Sequence, residues 1–332
     1  MAYPNPSIGD IVATTLENRT GKAADNVTRN TALLNRLRER GNAMPFSGGR
    51  TLWQELEYSL NGTAMWYSGY EALNIAPQNI FTSAEYPFRQ AAVAVSVSGL
   101  EELQNASEEE VIDLVAGRVK NAERSLVTLI ATGVYSDGSE TNQIGGLRFL
   151  ISSSPSSGTV GGINRATWQF WQNKAFSAAT DGGAAATSAN IRRYMDQLWV
   201  QLVRNNDRPD LLVADNNYWL LFNESMQPYQ RITNPKLAEA GYMNLKYMDA
   251  DVVLDGGFQG FSSDPIPQGG APANTMYFCN TQYLHFRPHR ARNFVPLRPD
   301  RFSINQDATV KLMGWAGNLT LSNSFMQGVL TA

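Results

Sequence analysis

The side chains of this chain that could do chemistry are few and scattered. His285 and His289 stand four residues apart, a spacing that on a helix would turn both rings to one metal. The segment reads His285-Phe-Arg-Pro-His289, however, an extended and proline-interrupted stretch, so no metal pair is expected. Cys279 is the single cysteine, which excludes a Cys-type zinc site and an internal disulfide and points to a reducing compartment. Asp249, Asp251 and Asp255 gather the carboxylates a hard cation would want. They lack the distal glutamate of a calcium loop, and Val252-Val253-Leu254 reads as a strand among them, so a loop, a strand and a turn are expected. Glu108-Glu109-Glu110 fits the start of a helix, where acids complement the macrodipole. With no phosphate-binding G-x-x-x-x-G-K-[ST], no H-E-x-x-H and no G-x-S-x-G, the expectation is no catalytic residue, no metal and no cofactor.

Positive charge is the remaining chemical resource. Arginine outnumbers lysine 21 to 6, which suits bidentate pairing with carboxylates. The densest basic run is Arg287, Arg290, Arg292, Arg298 and Arg301, with Asp300 as its one nearby acid. Residues 1–50 carry seven basic side chains against four acids, including Arg36, Arg38 and Arg40, a run whose ordinary meaning is a solvated face. The whole chain has a net charge of −3, against a dedicated nucleic-acid binder. Charged residues make up 17% and aromatics 10% of its 332 residues. That balance fits either a surface largely covered by neighbours or a β-rich monomer with a polar Asn/Ser/Gln surface. No signal segment and no run of 18 apolar residues is present, so neither secretion nor membrane spanning is expected.

The elements that must carry these residues are legible in the periodicity. Val93, Val95 and Val97 alternate with small residues, a strand signature. Ser107 and Glu110 form a capping-box pattern. Val111, Val115, Val119, Ala122, Leu126 and Leu129 then recur every three or four residues, predicting one long helix over about 107–133, with Gly133 able to end it. Tyr135-Ser-Asp-Gly138, Ile144-Gly-Gly-Leu147 and Thr159-Val-Gly-Gly-Ile-Asn-Arg165 follow. Before the strand, Leu52, Gln54, Leu56, Tyr58 and Leu60 share one parity, predicting a hairpin over 47–90 with Asn61-Gly62 as its turn and Ser68-Gly69 as a competing tip. Residues 1–46 read as an arm with one short helix near 27–40. Later, a helix is expected over 188–205 (Ile191, Met195, Leu198, Leu202), a buried strand at Leu211–Ala214, a helix near 216–227, and strands at Val252–Leu254 and Met276–Cys279.

A strand, an acid-capped long helix, then Y-S-D-G, G-G-L and V-G-G-I-N-R: this order resembles the major capsid proteins of tailed bacteriophages, the Hong-Kong-97-type coat fold, over nearly the whole chain. The resemblance implies an α+β fold with an N-terminal arm (1–46), an extended β-hairpin loop (47–90), a peripheral domain with a long spine helix (91–150), an axial domain (151–291) and a return to the peripheral domain (292–332). It implies self-assembly into hexamers and pentamers of an icosahedral shell around double-stranded DNA, in the virion, assembled in the host bacterial cytoplasm. In that setting the arm crosses onto neighbours and the hairpin lies across an adjacent subunit. Arg36, Arg38, Arg40, Trp53, Tyr58, Trp66, Tyr70, Arg287, Arg290 and Arg292 then become candidate intersubunit or DNA-facing contacts, with interface favoured over DNA.

Some family members crosslink the hairpin through a lysine. This chain has no lysine between Lys22 and Lys120, so noncovalent packing is expected. The absence of a coiled-coil prefix gives the expectation of a separate scaffolding protein, beside portal and cement proteins. The alternatives are an encapsulin-type compartment shell and, prompted by 7 Trp and 13 Tyr, a carbohydrate-binding or glycan-cleaving protein using paired carboxylates.

Overall fold

The computed structural model describes residues 31–98, 108–226, 245–255, 270–302 and 308–332; the side chains of 108–116, 298–302 and 308–309 lie outside that description. In chain order the elements are α1 (Ala32–Glu39), β1 (Thr51–Glu57), β2 (Phe81–Pro87), β3 (Arg89–Ser98), α2 (Glu108–Val134), α3 (Leu147–Leu150), β4 (Thr159–Val160), β5 (Ile163–Asn164), β6 (Lys174–Ser177), α4 (Ile191–Leu202), β7 (Leu211–Ala214), α5 (Asn216–Met226), β8 (Leu245–Tyr247), β9 (Ala250–Leu254), β10 (Thr275–Cys279), β11 (Leu284–Phe302), β12 (Ala308–Leu321) and β13 (Gly328–Thr331). Most of residues 1–46 and the Ser107 cap fall outside the described residues.

Two sheets organise the body. The larger has the order β6-β13-β10-β7-β9-β8. Its central strands β7 and β10 are buried throughout and almost wholly apolar, and parity divides them. Leu211 and Val213 of β7 face one core, while Leu212 and Ala214 face the other. Tyr277 and Cys279 of β10 likewise oppose Met276 and Phe278. A continuous apolar run is the mark of a strand covered on both faces. One cover is α4, whose Ile191, Met195, Leu198 and Leu202 stripe is fully buried, together with α5. The other includes α1, which buries Leu33, Leu34 and Leu37. An eight-residue helix is marginal alone, and these three side chains, each worth ~1.5–3 kcal/mol of transfer free energy when buried, attach it to the body.

The smaller sheet has the order β11-β12-β3. Val95 and Val97 point inward from β3, as their alternation predicts, and α2 lies alongside. On α2, Val119, Ala122, Leu126, Ile130 and Val134 form the buried stripe. Leu129 does not belong to it: it is 54% exposed and faces an open groove of about 1060 Å³ between α2, β3 and Trp315. A 3.6-residue helix carries the stripe past Leu129 to Ile130. Gly133 does not end the helix either. The helix runs to Val134, where the Tyr135 and Ser136 N–H groups turn back to the Thr132 and Gly133 carbonyls, and Gly146 passes so close to that end that a Cβ on it would lie within 2.5 Å of the Gly133 and Val134 carbonyl oxygens. The final strand, β13, joins β10 and β6 in the six-stranded sheet, so the chain beyond Leu321 ends there and not beside α2.

The three aspartates go three ways. Asp249 pairs with Arg208 at 2.8 Å, and Asp251 with Arg36 at 3.3 Å. Asp255 is half-buried and accepts hydrogen bonds from the Tyr135 hydroxyl at the end of α2 and from the Ala32 backbone N–H that opens α1. Burial, outweighing those bonds, pushes Asp255 up to about 6. One carboxyl thus ties the two helices to the end of β9 in the large sheet.

Candidate subunit-contact surface

The β1–β2 hairpin has a rooted end and a bare end. At the root, antiparallel register runs from Thr51↔Pro87 to Glu57↔Phe81. Leu52, Leu56, Ala84 and Tyr86 are buried against the body, while Trp53, Glu55 and Glu57 face out. The Tyr86 hydroxyl donates to the Leu321 carbonyl at 3.2 Å, and the Glu85 N–H to the Gly161 carbonyl at 3.0 Å. Gly161 has φ +59, and a Cβ on it would sit 2.7 Å from the Ala84 methyl, so only glycine fits between β4 and β5 at this approach. The V-G-G-I-N-R motif is therefore a clamp on the hairpin. Its Arg165 is buried, donates to the Leu150 carbonyl and the Ser324 hydroxyl, and is lowered to about 10 by that burial. Tyr58 belongs to the root too. Its ring packs at 6.2 Å from Trp168 and 5.9 Å from Phe170, so this candidate intersubunit contact is engaged as a support within its own chain.

Beyond Glu57 the alternation has no partner strand, and the expected turn is absent. Asn61 instead forms a local Asx turn, its Oδ1 accepting from the Thr63 N–H at 3.0 Å. Ser68 and Glu71 close a second local turn. Neither joins the strands, which are connected by the whole span 58–80. All of that span except Tyr58, Ser59, Thr63 and Ile80 is exposed. It presents Leu60, Met65, Trp66, Tyr67, Tyr70, Leu73 and Ile75, with Trp66 fully exposed. Its single charged residue is Glu71. Trp66 and Tyr70 were candidates from sequence. Leu60, Met65, Tyr67, Leu73 and Ile75 were not, although the scarcity of charge over 58–80 was a readable signal.

The arginine candidates separate into two groups. Arg36 and Arg40 are committed inside the chain: Arg36 meets Asp210 and Asp251 at 3.3 Å each, and Arg40 meets Asp210 at 3.1 Å. Asp210 also accepts from the N–H and hydroxyl of Thr281 at 2.7 Å. These two arginines are anchors of α1, not a solvated face, because the buried leucines turn them onto the sheet's acids. Arg38, on the same helix, also has an interaction. Arg290 and Arg292 are exposed on β11, Arg292 donating to the Gln90 side chain at 2.7 Å. Arg287 is half-buried, with Nη1 against the Met44 sulfur at 3.9 Å and Nε buried without a partner. It lines a cavity of about 670 Å³ at the hairpin root with Phe46, Arg50, Trp53 and Glu85. His285 and His289 do not converge: His289 packs edge-on against Phe46 at 4.8 Å, and His285 is lowered by burial and by Arg287. Among the described residues no group of three His, Cys, Asp or Glu side chains could hold a metal ion, and no helix is long and apolar enough to cross a membrane.

An aromatic, nearly uncharged span held out in solvent has the composition of an interface core. The molecule is thus of a class whose outward surface is made for another protein. The chain is similar to the capsid asymmetric unit of cyanophage A-1(L), with a TM-score of 0.61 and 16% identity over 88% of this chain and 90% of that one. It is similar to the capsid of the native GTA particle, with a TM-score of 0.55 and 12% identity over 88% of each chain. Mycobacterium phage Bobi gives a TM-score of 0.51 and 10% identity over 88% of this chain and 89% of that one. No family model and no curated protein matches the chain. The fold is the Hong-Kong-97-like coat fold, α+β, as the order of motifs implied.

Proposed function

We propose that this chain is the coat subunit of a tailed phage, joining with its own copies in hexamers and pentamers of an icosahedral shell around double-stranded DNA. Its role is structural, not enzymatic. It acts in the virion capsid after assembly in the host bacterial cytoplasm, with separate scaffolding, portal and cement proteins as further partners. A fold alone does not fix a function. The observation that carries this reading is the bare span 58–80: a rigidly rooted hairpin that ends in uncovered aromatics needs a protein to cover it. Obligate interfaces of this kind bury on the order of 2,000–5,000 Å². Exposed Arg290 and Arg292 are suited to weak, sequence-independent contact with phosphates.

The test is negative-stain electron microscopy and sedimentation of the full chain over a range of concentrations, alone and with lysate from its source. Closed shells, tubes or free hexamers are expected. A monomer at every concentration, unchanged by lysate, overturns the reading.

A further inference from the structure

We propose that the cavity at the root of the hairpin is the receptor for Glu71 of a second copy, so that each subunit's span seats on the next subunit's hairpin root. This inference rests on the shell reading above and adds to it the point of attachment.

The cavity has an unmet need. Arg287 and Arg50 both line it, with Glu85 as its one acid. Among the described residues none of the three forms an ion pair with a carboxylate or a guanidinium, and the one side-chain hydrogen bond of Arg287 is to the Met44 sulfur. The buried Arg287 Nε is left without an acceptor. A buried donor without a partner costs about 1–3 kcal/mol, and a carboxylate is the acceptor that matches a guanidinium best. Exposed Trp53 stands at the same cavity and Phe46 lines its wall, so an entering carboxylate flanked by apolar and aromatic residues is the fitting ligand.

The span supplies that ligand. Glu71 is its single charge, exposed, near Tyr70 and Leu73, and among the described residues its carboxylate accepts a hydrogen bond from the Ser68 N–H alone, at 3.0 Å. Strand β1 holds the cavity and the span apart: Thr51 lines the cavity, and Glu57, about 20 Å further along an extended strand, begins the span. One chain therefore offers the cavity at one end of its hairpin and Glu71 in the span beyond the other. Head-to-tail pairing satisfies both in a series of copies, and a heterologous contact of this kind closes into a ring when its rotation permits.

The experiment is a charge exchange in the full chain, read by sedimentation and electron microscopy, with circular dichroism as the check on folding. Glu71→Arg is expected to raise the concentration for half-assembly by about tenfold or more, equivalent to at least ~1.4 kcal/mol per contact. Arg287→Glu should do the same, and the double variant Glu71→Arg/Arg287→Glu should recover most of the loss. If Arg287→Glu does not fold, Arg50→Glu, on an exposed residue of the same cavity, takes its place. Wild type that assembles while Glu71→Arg assembles at the same concentration overturns the inference and leaves the shell reading standing. A double variant no better than either single one overturns it as well. Wild type that never assembles overturns the shell reading and this inference together.

Discussion

The two ends of one hairpin behave in opposite ways. Between Thr51 and Glu57, and between Phe81 and Pro87, Leu52, Leu56, Ala84 and Tyr86 are buried by the body of their own chain. Between Tyr58 and Ile80 large apolar side chains are just as frequent, yet almost none is buried. The residues differ little in hydrophobicity; what differs is what lies beneath them. The root, with Tyr58, has β4, β5, Trp168, Phe170 and Leu321 under it, while the side chains from Leu60 to Asn79 are almost all left exposed by the described residues. Apolar pattern therefore records that a segment is covered, without recording by whom.

That contrast can be broken experimentally, most severely by removal of the span. Replacing residues 59–79 with a short glycine-rich turn should abolish assembly into shells while the subunit unfolds at nearly the wild-type temperature, as sedimentation and calorimetry would report. Shells of normal size from this variant would make the span dispensable. Next in size are substitutions at the root. Leu52→Ala or Leu56→Ala should lower unfolding free energy by ~2–5 kcal/mol in urea titrations of the subunit. Trp53→Ala, on the outward face between them, should change it by no more than ~0.5 kcal/mol. Equal losses at Leu52 and Trp53 would erase the distinction between the two faces.

A junction closed wholly within the chain gives a third, smaller effect. The folded-state value of Asp255 lies at about 6, above its ordinary value of 3.8. Both states are protonated well below the ordinary value, so the burial penalty is absent there. It grows as pH rises through that window and is complete above about 6. Asp255→Asn should accordingly be more stable than wild type by ~1–3 kcal/mol near neutral pH and no different in strong acid. A stability difference that does not change with pH would remove Asp255 as its source. Smallest of all, Asn61→Ala should shift unfolding free energy by less than ~0.5 kcal/mol, because its Asx turn joins no strands. A loss of several times that would restore Asn61-Gly62 as the hairpin turn.

Much of the framework was legible because it rests on local period. The α2, α4 and β7 assignments follow from residues that meet their core at regular steps, and so does the inward face of β3. Errors arose where a residue's fate depended on something distant. Leu129 fits the stripe by count, but Ile130 takes its place against the body. Asn61-Gly62 is a strong turn signal, but no strand meets β1 at that point. Arg36 and Arg40 read as a solvated face because Asp210 and Asp251 are far away in sequence and adjacent only in the fold. The aromatic support of Tyr58 was hidden for the same reason, since Trp168 and Phe170 are likewise distant in sequence.

By itself, then, the sequence determined most of the elements and their order, since periodicity acts over a few residues and needs no knowledge of partners, and the order of its motifs carried the resemblance that implied the fold class. It also held the clue to the contact surface, a 23-residue span with one charge. Tertiary structure alone decided which apolar residues were covered by their own chain and which arginines had already met their acids. It alone placed Arg287, Arg50 and Trp53 around one cavity. Burial and ion pairing depend on distance in space, and no local pattern of residues sets that distance.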